Sequence, residues 1–351
     1  PEYCARVARE LYRETGRKVT YIVHLDHNQI DKNKFKKDPR GALQEAIDRA
    51  RLTPKVGFTS FATDTSTLTD EEVKRGDFES EEEYLHARLK DVIETGAEII
   101  QVIEEGAKEL GIEVGHEGEV GDIGTDISTF EEAKYYYEHL KKRLDVIAEQ
   151  LGTSHGYDFT DDDKLKPYEG GPITVDDYYG RDTAGQIDEK RKKKGVVVDR
   201  ARGTVERFER ELGIKIGVAL HGFSGTPLEV VPAFVGTGIA KVNINTDWQA
   251  ITWKVLQAYY PDLYKRCFDL ARKAAIKELE KLKEKENKEQ DSKEKKKLLK
   301  KIEKLEKLVA LPFEKSRNRI IFGKDGAPGL RTPFRGSEEK PEGWKLLEEI
   351  T

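Results

Sequence analysis

The chain has 351 residues, and 37% of them are charged, but its 62 basic and 67 acidic side chains nearly cancel to a net charge of −5. This balance gives no general attraction to nucleic acid, and no apolar run approaches the roughly 18 residues of a membrane-spanning helix. The two cysteines, Cys4 and Cys267, are too few for a disulfide framework, so we expect a cytoplasmic protein that binds neither nucleic acid nor membrane.

Helical periodicity and short apolar runs alternate along residues 2–260. The predicted helices cover residues 2–15, 41–52, 79–110, 129–142, 203–212, 227–234 and 247–259. The predicted strands cover residues 19–25, 56–62, 112–120, 145–148, 214–220 and 238–246. Residues 157–202 form a polar insertion that we interpret as a loop with some helix. Six strands that alternate with helices indicate a parallel sheet with helices outside it.

Polar residues follow five or six of these strands, and this distribution favours a barrel. In α/β barrels the reactive residues lie at the C-terminal ends of several strands, whereas a doubly wound open sheet gathers its site at one switch point. A full barrel has eight strands, so the fold we predict is α/β, a (β/α)8 TIM barrel whose first two strands are absent from this chain. The open sheet is the structural alternative.

A charged C-terminal extension over residues 261–351 follows the predicted barrel domain, which we place at residues 1–260. Residues 271–309 contain 15 basic and 9 acidic side chains, with an apolar stripe on either side of residues 283–297. This pattern predicts either two helices joined by an exposed charged bend or one long solvated helix. A solvated arm or a subunit contact explains it better than binding to nucleic acid or membrane.

Three of the apolar runs end in a histidine, namely His27, His155 and His221. Imidazoles on separate strand ends are the usual construction of an open catalytic zinc site, and three of them leave the fourth position for substrate. Asp26 precedes His27, and the alternative for this pair is a satisfied histidine beside a helix-capping aspartate. Neighbouring residues point to opposite sides of a regular strand, so both serve one site only if the backbone turns there.

Carboxylates occur at similar positions. Glu117 and Glu119 lie two residues apart, which places both on one face of a predicted strand; the alternative is an exposed edge strand. Asp64 ends another strand and is either close to the metal or a simple helix cap. By position in a barrel, Glu119 and Asp64 are candidates for the metal site.

Two segments are candidates for binding phosphate. Residues 221–225 form a glycine-containing turn after the predicted seventh strand, and residues 243–246 end the eighth. Barrels frequently bind phosphate with the loops after these two strands. Gly222, Ser224, Asn243 and Thr246 offer backbone N–H groups and polar side chains for this purpose.

The chain resembles the class II, zinc-dependent fructose-bisphosphate aldolases in six motifs that occur in the family's order over roughly residues 2–260. The motifs are His24-Leu-Asp-His27, Phe58-Thr-Ser-Phe-Ala-Thr-Asp64, Glu117-Gly-Glu-Val-Gly121, Ser154-His155-Gly156, His221-Gly-Phe-Ser-Gly225 and Asn243-Ile-Asn-Thr-Asp247. There are also departures. The segment 122–126 stands where the family often has paired glycines and acids, Asn245 replaces an acid, and a lysine common after Gly156 is absent. The family's first two strands and a substrate-contacting serine have no counterpart.

The resemblance implies that His27, His155 and His221 bind the catalytic zinc ion and that Asp26 moves the proton at the C4 oxygen. It implies that His24, Asp64 and Glu119 line an alternative metal position or surround the ligands. The residues implied to hold the phosphate end of the substrate are Gly156, Gly222, Phe223, Ser224, Asn243, Asn245 and Thr246.

The activity implied by the resemblance is reversible cleavage of fructose 1,6-bisphosphate to dihydroxyacetone phosphate and glyceraldehyde 3-phosphate through a zinc-stabilised enediolate. We expect one catalytic Zn²⁺, leave a second divalent ion open, and expect a homodimer or larger homo-oligomer acting on a phosphorylated ketose. The alternatives are a tagatose-bisphosphate aldolase, a non-catalytic barrel that keeps the metal site, and a metal-dependent sugar-phosphate isomerase or hydrolase.

Overall fold

The computed structural model describes residues 2–18, 21–121, 127–151, 197–224, 226, 231–321 and 327. Its helices are α1 (Glu2–Thr15), α2 (Lys32–Lys37), α3 (Pro39–Leu52), α4 (Glu81–Leu110), α5 (Phe130–Leu140), α6 (Val197–Leu212), α7 (Thr246–Tyr259), α8 (Pro261–Lys288), α9 (Ser292–Ala310) and α10 (Phe313–Ile321). Its strands are β1 (His24–Leu25), β2 (Ser60–Thr63), β3 (Gly115–Val120), β4 (Val146–Glu149), β5 (Gly217–Leu220) and β6 (Ile239–Val242).

The strands form one six-stranded parallel sheet in the order β1-β2-β3-β4-β5-β6. Each strand therefore pairs with its successor along the chain. A doubly wound sheet reverses its strand order at a switch point, and the described strands show no such reversal. The predicted α/β class and the parallel sheet are confirmed, and the order is the one that a barrel requires.

The two edge strands of this sheet approach each other through their side chains. Lys241 Nζ on β6 lies 2.9 Å from His24 Nε2 on β1. Asn243 Nδ2, just after β6, lies 3.1 Å from Asp26 Oδ1, just after β1. Contacts between opposite edges require the sheet to curl toward closure, as the strands of a barrel do.

Several predicted elements are shorter than expected. The prediction of a buried strand over 19–25 is wrong in part. Among residues 21–25, which the structure describes, only His24–Leu25 pairs with β2, and Tyr21 and Ile22 are 45% and 72% exposed. β1 lies at the sheet edge, so it has a neighbour on one side only. The strand predicted over 238–246 ends at Val242. The described end of the helix predicted over 227–234 is a 3-10 turn, Val231–Phe234.

Helix α4 shows why the longer elements were predictable. Ser80 caps its N-terminus, accepting from the backbone N–H of Glu83, whose side chain accepts from Ser80 N–H in return. Gly111 ends the helix with a φ of 66°, a left-handed conformation that glycine adopts without strain. Between these signals, Leu85, Leu89 and other apolar residues at helical spacing are buried.

The described residues divide into two compact units, one up to Ile244 and the other from Asn245 onward. In the second unit α8 and α9 pack together and bury Phe268, Ala271 and Leu305. This confirms two helices joined by a charged bend, although the pair has an apolar core of its own. Helix α10 was not predicted. The predicted domain boundary at residue 260 stays a prediction, and no described helix is long and apolar enough to cross a membrane.

Gly118, in the middle of β3, lies directly against two core side chains. A Cβ atom here would be 2.8 Å from Tyr136 Cε1 and 2.8 Å from Leu144 Cδ1. Both side chains are buried, so neither has space to move away. We therefore expect Gly118→Ala to lower the free energy of unfolding by about 1–3 kcal/mol, the usual cost of overpacking a core.

Urea unfolding of Gly118→Ala beside Gly203→Ala checks this expectation. A Cβ at Gly203, on helix α6, meets nothing within 4 Å. Alanine there is expected to raise stability by up to about 1 kcal/mol, because glycine is a poor helix former. A Gly118→Ala protein as stable as the wild type would contradict close packing at β3.

Candidate metal and catalytic site

The candidate residues lie at one end of the sheet, because parallel strands all present their C-terminal ends on the same side. Asp26 and His27 follow β1, Asp64 follows β2, and His221 follows β5. Glu117 and Glu119 project from β3, which lies between β2 and β4. The edge-strand alternative for these two glutamates is wrong, since β3 is interior and both are buried.

His27, Glu119 and His221 form the first cluster, with one donor atom from each within 4.8 Å of the others. The rings of His27 and His221 meet edge to face, with centroids 5.2 Å apart. Glu119 Oε1 lies 3.5 Å from His27 Nδ1, and Glu119 Oε2 lies 3.8 Å from His221 Nδ1. These residues come from β1, β3 and β5, so only the curled sheet brings them together.

The backbone at His27 explains how adjacent residues serve one site. His27 has a φ of 56°, which is unusual for a residue other than glycine. The chain turns sharply here, and Asp26 Oδ2 lies 3.3 Å from His27 Nε2. The predicted turn at the exit of this strand is therefore present.

Asp64 fixes the orientation of His27. Asp64 Oδ2 lies 2.9 Å from His27 Nδ1, and Ser66 Oγ donates to Asp64 Oδ1 at 2.6 Å. A carboxylate that accepts from one ring N–H holds the imidazole so that the other nitrogen acts as a ligand. Asp64 is fully buried and is not among the three clustered donors. Its geometry suits a residue that positions a ligand.

The chemistry of the first cluster fits a zinc ion. Burial, together with the charges of Asp64, Glu117 and Asp26, raises the pKa of Glu119 well above its ordinary value. Within the described residues, Glu119 Oε1 is buried without a hydrogen-bond partner. A cation would satisfy this oxygen and remove the electrostatic cost, and two imidazoles with a carboxylate form a common donor set for zinc. The predicted third histidine, His155, lies outside the described residues.

A second cluster consists of His24, Asp26 and Glu117, again with donor atoms within 4.8 Å of one another. Lys241 is a residue that sequence reasoning missed, and its Nζ contacts all three of these side chains. The available signal was its place two residues before Asn243, on the same side of β6. Glu117 was noted in the sequence but not assigned a role; it lies 3.1 Å from His221 Nε2.

Asp26 is held by hydrogen bonds from two directions. Lys241 Nζ donates to Oδ1 at 3.1 Å, and Asn243 Nδ2 lies 3.1 and 3.2 Å from the two oxygens. Burial alone raises the pKa of Asp26, but the positive charge of Lys241 and its hydrogen bond to the carboxylate oppose burial, and the pKa lies below its ordinary value. The carboxylate is therefore ionised at neutral pH, in the form that can accept a proton.

The predicted phosphate residues have different surroundings. Gly222 has a φ of 67° and Ser224 is buried in the turn after β5. The backbone N–H of Phe223 donates to the Asn243 carbonyl at 3.2 Å, and its ring packs on Phe234 at 5.2 Å. Phe223 thus packs the turn, and its N–H is already engaged.

The remaining phosphate candidates belong elsewhere in the chain. Asn245, in the second compact unit, accepts a hydrogen bond from Gln249 Nε2 at 2.7 Å. Thr246 begins α7, and its side chain lies outside the described part of the structure. Gly156 also lies outside the described residues. These three assignments stay predictions.

Glu149, the last residue of β4, is a buried carboxylate separate from both clusters. Thr204 Oγ1 donates to its Oε2 at 2.9 Å, while Oε1 has no partner among the described residues. Burial raises the pKa of Glu149 to about 8, against the opposing hydrogen bond from Thr204 and with help from the charge of Glu132. The folded protein therefore keeps this proton over a pH range in which the unfolded chain loses it.

This difference makes stability fall as pH rises from about 4.5 to about 8, because the unfolded state binds fewer protons there. Glu149→Gln removes the titration, so we expect it to raise the free energy of unfolding at pH 7 by about 3 kcal/mol, at about 1.4 kcal/mol per pH unit above 4.5. Below pH 4.5 the two proteins should be alike. Denaturant unfolding across this pH range measures the difference in stability, and Glu138→Gln on α5 is the exposed control. If the free energies of unfolding of Glu149→Gln and the wild type changed in parallel with pH, the expectation would be contradicted.

Comparison with known proteins decides the family. The family model for class-II fructose-bisphosphate aldolases matches residues 1–168 and 189–309. The chain belongs to the class II fructose-bisphosphate aldolase family. The resemblance seen in its motifs is thereby confirmed, and no curated protein sequence matches the chain.

Three solved structures illustrate how this class II family member compares with known folds. Fructose-bisphosphate aldolase from Campylobacter jejuni shares 19% identity with a TM-score of 0.41, covering 73% of this chain and 60% of that enzyme. A putative fructose-1,6-bisphosphate aldolase from Coccidioides immitis shares 18%, with a TM-score of 0.39 and coverages of 73% and 68%. The YdjI aldolase from Escherichia coli shares 14% identity with a TM-score of 0.34, covering 72% of this chain and 64% of that enzyme. The chain thus spans 60% of the length of the C. jejuni enzyme.

Proposed function

We propose that the protein is a zinc-dependent aldolase that reversibly cleaves fructose 1,6-bisphosphate to dihydroxyacetone phosphate and glyceraldehyde 3-phosphate. The observation that carries this proposal is the convergence of His27, Glu119 and His221 at one end of the sheet, with the ionised Asp26 3.3 Å from His27. Membership of the class II family supports the reaction type.

In this proposal the metal ligands are His27 and His221, with His155 as the third histidine and Glu119 beside them. Zinc bound there supplies a Lewis acid for the substrate carbonyl, worth several kcal/mol of charge stabilisation. Asp64 holds His27 in its binding orientation through the 2.9 Å contact at Nδ1. His24 lies in the neighbouring cluster rather than among these donors.

Asp26 acts on the hydroxyl group at C4. Its carboxylate accepts the proton of this hydroxyl while the C3–C4 bond breaks, the C4 carbon becomes the aldehyde, and the electron pair of the broken bond remains on the three-carbon ketose fragment. Lys241 and Asn243 fix the carboxylate during this transfer, because both donate hydrogen bonds to it. In the reverse direction Asp26 returns the proton to the aldehyde oxygen at C4 as the C3–C4 bond forms.

The phosphate end of the ketose is assigned to the turn after β5. Gly222 and Ser224 lie directly after the ligand His221, and Asn243 follows the adjacent strand β6. Backbone N–H groups in a turn with a positive φ form a concave donor surface of the kind that binds anions. In this assignment the phosphate-binding turn follows the metal ligand His221 directly in sequence, at the strand ends where barrels bind phosphate.

The remaining parts of the proposal concern the molecule as a whole. We assign the six parallel strands to positions 3–8 of a (β/α)8 barrel, supported by their sequential order and the contact between the edge strands. We place the protein in the cytoplasm, supported by two free cysteines, Cys4 and Cys267. A homodimer or larger homo-oligomer acting on a phosphorylated ketose completes the proposal.

The test is cleavage of fructose 1,6-bisphosphate in an assay coupled to triose-phosphate reduction. We expect cleavage by the zinc-loaded protein, loss of cleavage with a chelator, and recovery when zinc is restored. Faster cleavage of tagatose 1,6-bisphosphate would identify the alternative substrate. A folded, zinc-loaded protein that releases no aldehyde from either sugar would contradict the proposal; turnover without C–C cleavage would indicate an isomerase or hydrolase.

A further inference from the structure

We propose that Lys241 takes the place of a second divalent cation in this site. Its ammonium group fills the cluster formed by His24, Asp26 and Glu117, so the protein carries one divalent ion beside a built-in lysine cation. This inference rests on the proposed function only in assigning the catalytic ion to the neighbouring cluster of His27, Glu119 and His221.

The contacts of Lys241 Nζ resemble those of a bound cation. An ammonium group has three hydrogen-bond donors and no acceptor. Lys241 Nζ lies 2.9 Å from His24 Nε2, 3.1 Å from Asp26 Oδ1 and 2.7 Å from Glu117 Oε2. Three donors thus meet three acceptors, and the nitrogen lies at the point toward which all three side chains converge.

The tautomer of His24 follows from the same contacts. Lys241 can only donate, so His24 Nε2 is the acceptor and the proton is on Nδ1, which lies 2.8 Å from Ser60 Oγ. His24 therefore directs the lone pair of Nε2 at the cluster, and an imidazole lone pair is what binds a metal. Lys241, rather than His24, then supplies the N–H donor to Asp26.

The spacing of the three acceptor atoms suits a small divalent ion. His24 Nε2 lies 3.5 Å from Asp26 Oδ1 and 3.7 Å from Glu117 Oε2. A tetrahedral ion with bonds of about 2.1 Å separates its ligands by about 3.4 Å. A small contraction of the cluster is enough to hold such an ion, once the ammonium group is removed.

Charge explains why the lysine is there. Asp26 and Glu117 converge in one cluster, and Glu117 is only 2% exposed, so water screens their repulsion poorly. Lys241 supplies a positive charge from a fixed position on β6, where it pairs with Ala219 of β5. A divalent ion entering the cluster would meet the ammonium group at contact distance, and the like charges would repel.

The experiment compares zinc stoichiometry in the wild type and in Lys241→Met, which keeps an unbranched side chain of similar size but removes the ammonium group. Each protein is dialysed against Zn²⁺ in excess, passed through a desalting column and analysed for zinc per chain. We expect Lys241→Met to retain one more zinc ion per chain than the wild type. In the double variant that adds His24→Ala, the extra ion should be lost.

Lys142→Met is the matched control. Lys142 is as buried as Lys241, with 22% against 24% side-chain exposure, and Nζ pairs with Glu104 at 2.7 Å outside both clusters. The Lys142→Met protein should bind the same number of zinc ions as the wild type. Circular dichroism confirms that each variant is folded, and Lys241→Gln replaces Lys241→Met if the latter does not fold.

Equal zinc content in the wild type and Lys241→Met would overturn the inference, as would an extra ion that survives His24→Ala. The zinc content of a His24→Ala protein that keeps Lys241 is also decisive. If His24→Ala alone lowers the wild-type zinc content by one ion, the cluster already holds a metal and the inference fails. If the wild type cleaves no sugar but Lys241→Met still gains one ion, the proposed function fails while this inference stands.

Discussion

Replacement of His221 by alanine is expected to abolish zinc binding at the first cluster and to lower cleavage of fructose 1,6-bisphosphate at least about a thousandfold. His221 is 2% exposed, and its ring lies edge to face against His27 beside Glu119. Loss of the metal removes several kcal/mol of transition-state stabilisation, and each 1.4 kcal/mol corresponds to about a tenfold change in rate.

Zinc analysis and the coupled assay on the same preparation test this expectation. His139→Ala is the control, because His139 is an exposed histidine on α5 whose ring stacks on Tyr135 at 3.8 Å. It should keep both zinc and activity. If His221→Ala is folded and retains the zinc content of the wild type, His221 is not a ligand, and the proposed metal site is wrong.

Replacement of Asp26 by asparagine is expected to lower kcat by about 10²–10⁴-fold, the usual contribution of general acid–base catalysis, with zinc content unchanged. Asparagine has nearly the same shape and keeps an oxygen that can accept from Lys241, but it cannot take the C4 hydroxyl proton. Since the reacting group and not the binding surface is altered, the effect should fall on kcat more than on KM.

Steady-state kinetics with zinc-loaded protein measures this effect. Asp48→Asn is the control, since Asp48 is an exposed aspartate on α3 that contacts Gln44 and Arg51. It should leave kcat unchanged. A folded Asp26→Asn protein with kcat within threefold of the wild type would show that another group moves the proton.

Local patterns account for the elements that were predicted well. Helix α4 has a cap at Ser80, a terminating Gly111 and an apolar stripe between them, and each signal lies within a few residues of the feature it determines. The turn at His27 is a similar case, because the residues Asp26 and His27 follow a short apolar run. Elements at the sheet edge were predicted less well, since β1 has one neighbour and only two paired residues.

The contacts of the site were harder to predict because they join distant residues. Lys241 meets Asp26 across 215 positions and Glu117 across 124. A lysine in a strand is usually solvent-exposed, and the partial burial of Lys241 beside two acids depends on how the sheet curls. The difference between Asp64 and Glu119 is of the same kind: both were metal candidates, and only the fold shows that Asp64 contacts His27 while Glu119 lies between two histidines.

The sequence by itself determined the alternation of strands and helices, the reactive residue types at the strand ends and the resemblance to the family, because these depend on local periodicity and on the order of motifs. The tertiary structure alone decided that the candidates divide into two clusters, that β3 is interior, that Phe223 packs the turn, and that a lysine ammonium occupies the second cluster. The physical reason is register and curvature. Which side chains converge depends on how six strands pair and how far their sheet curls, and no single segment encodes either.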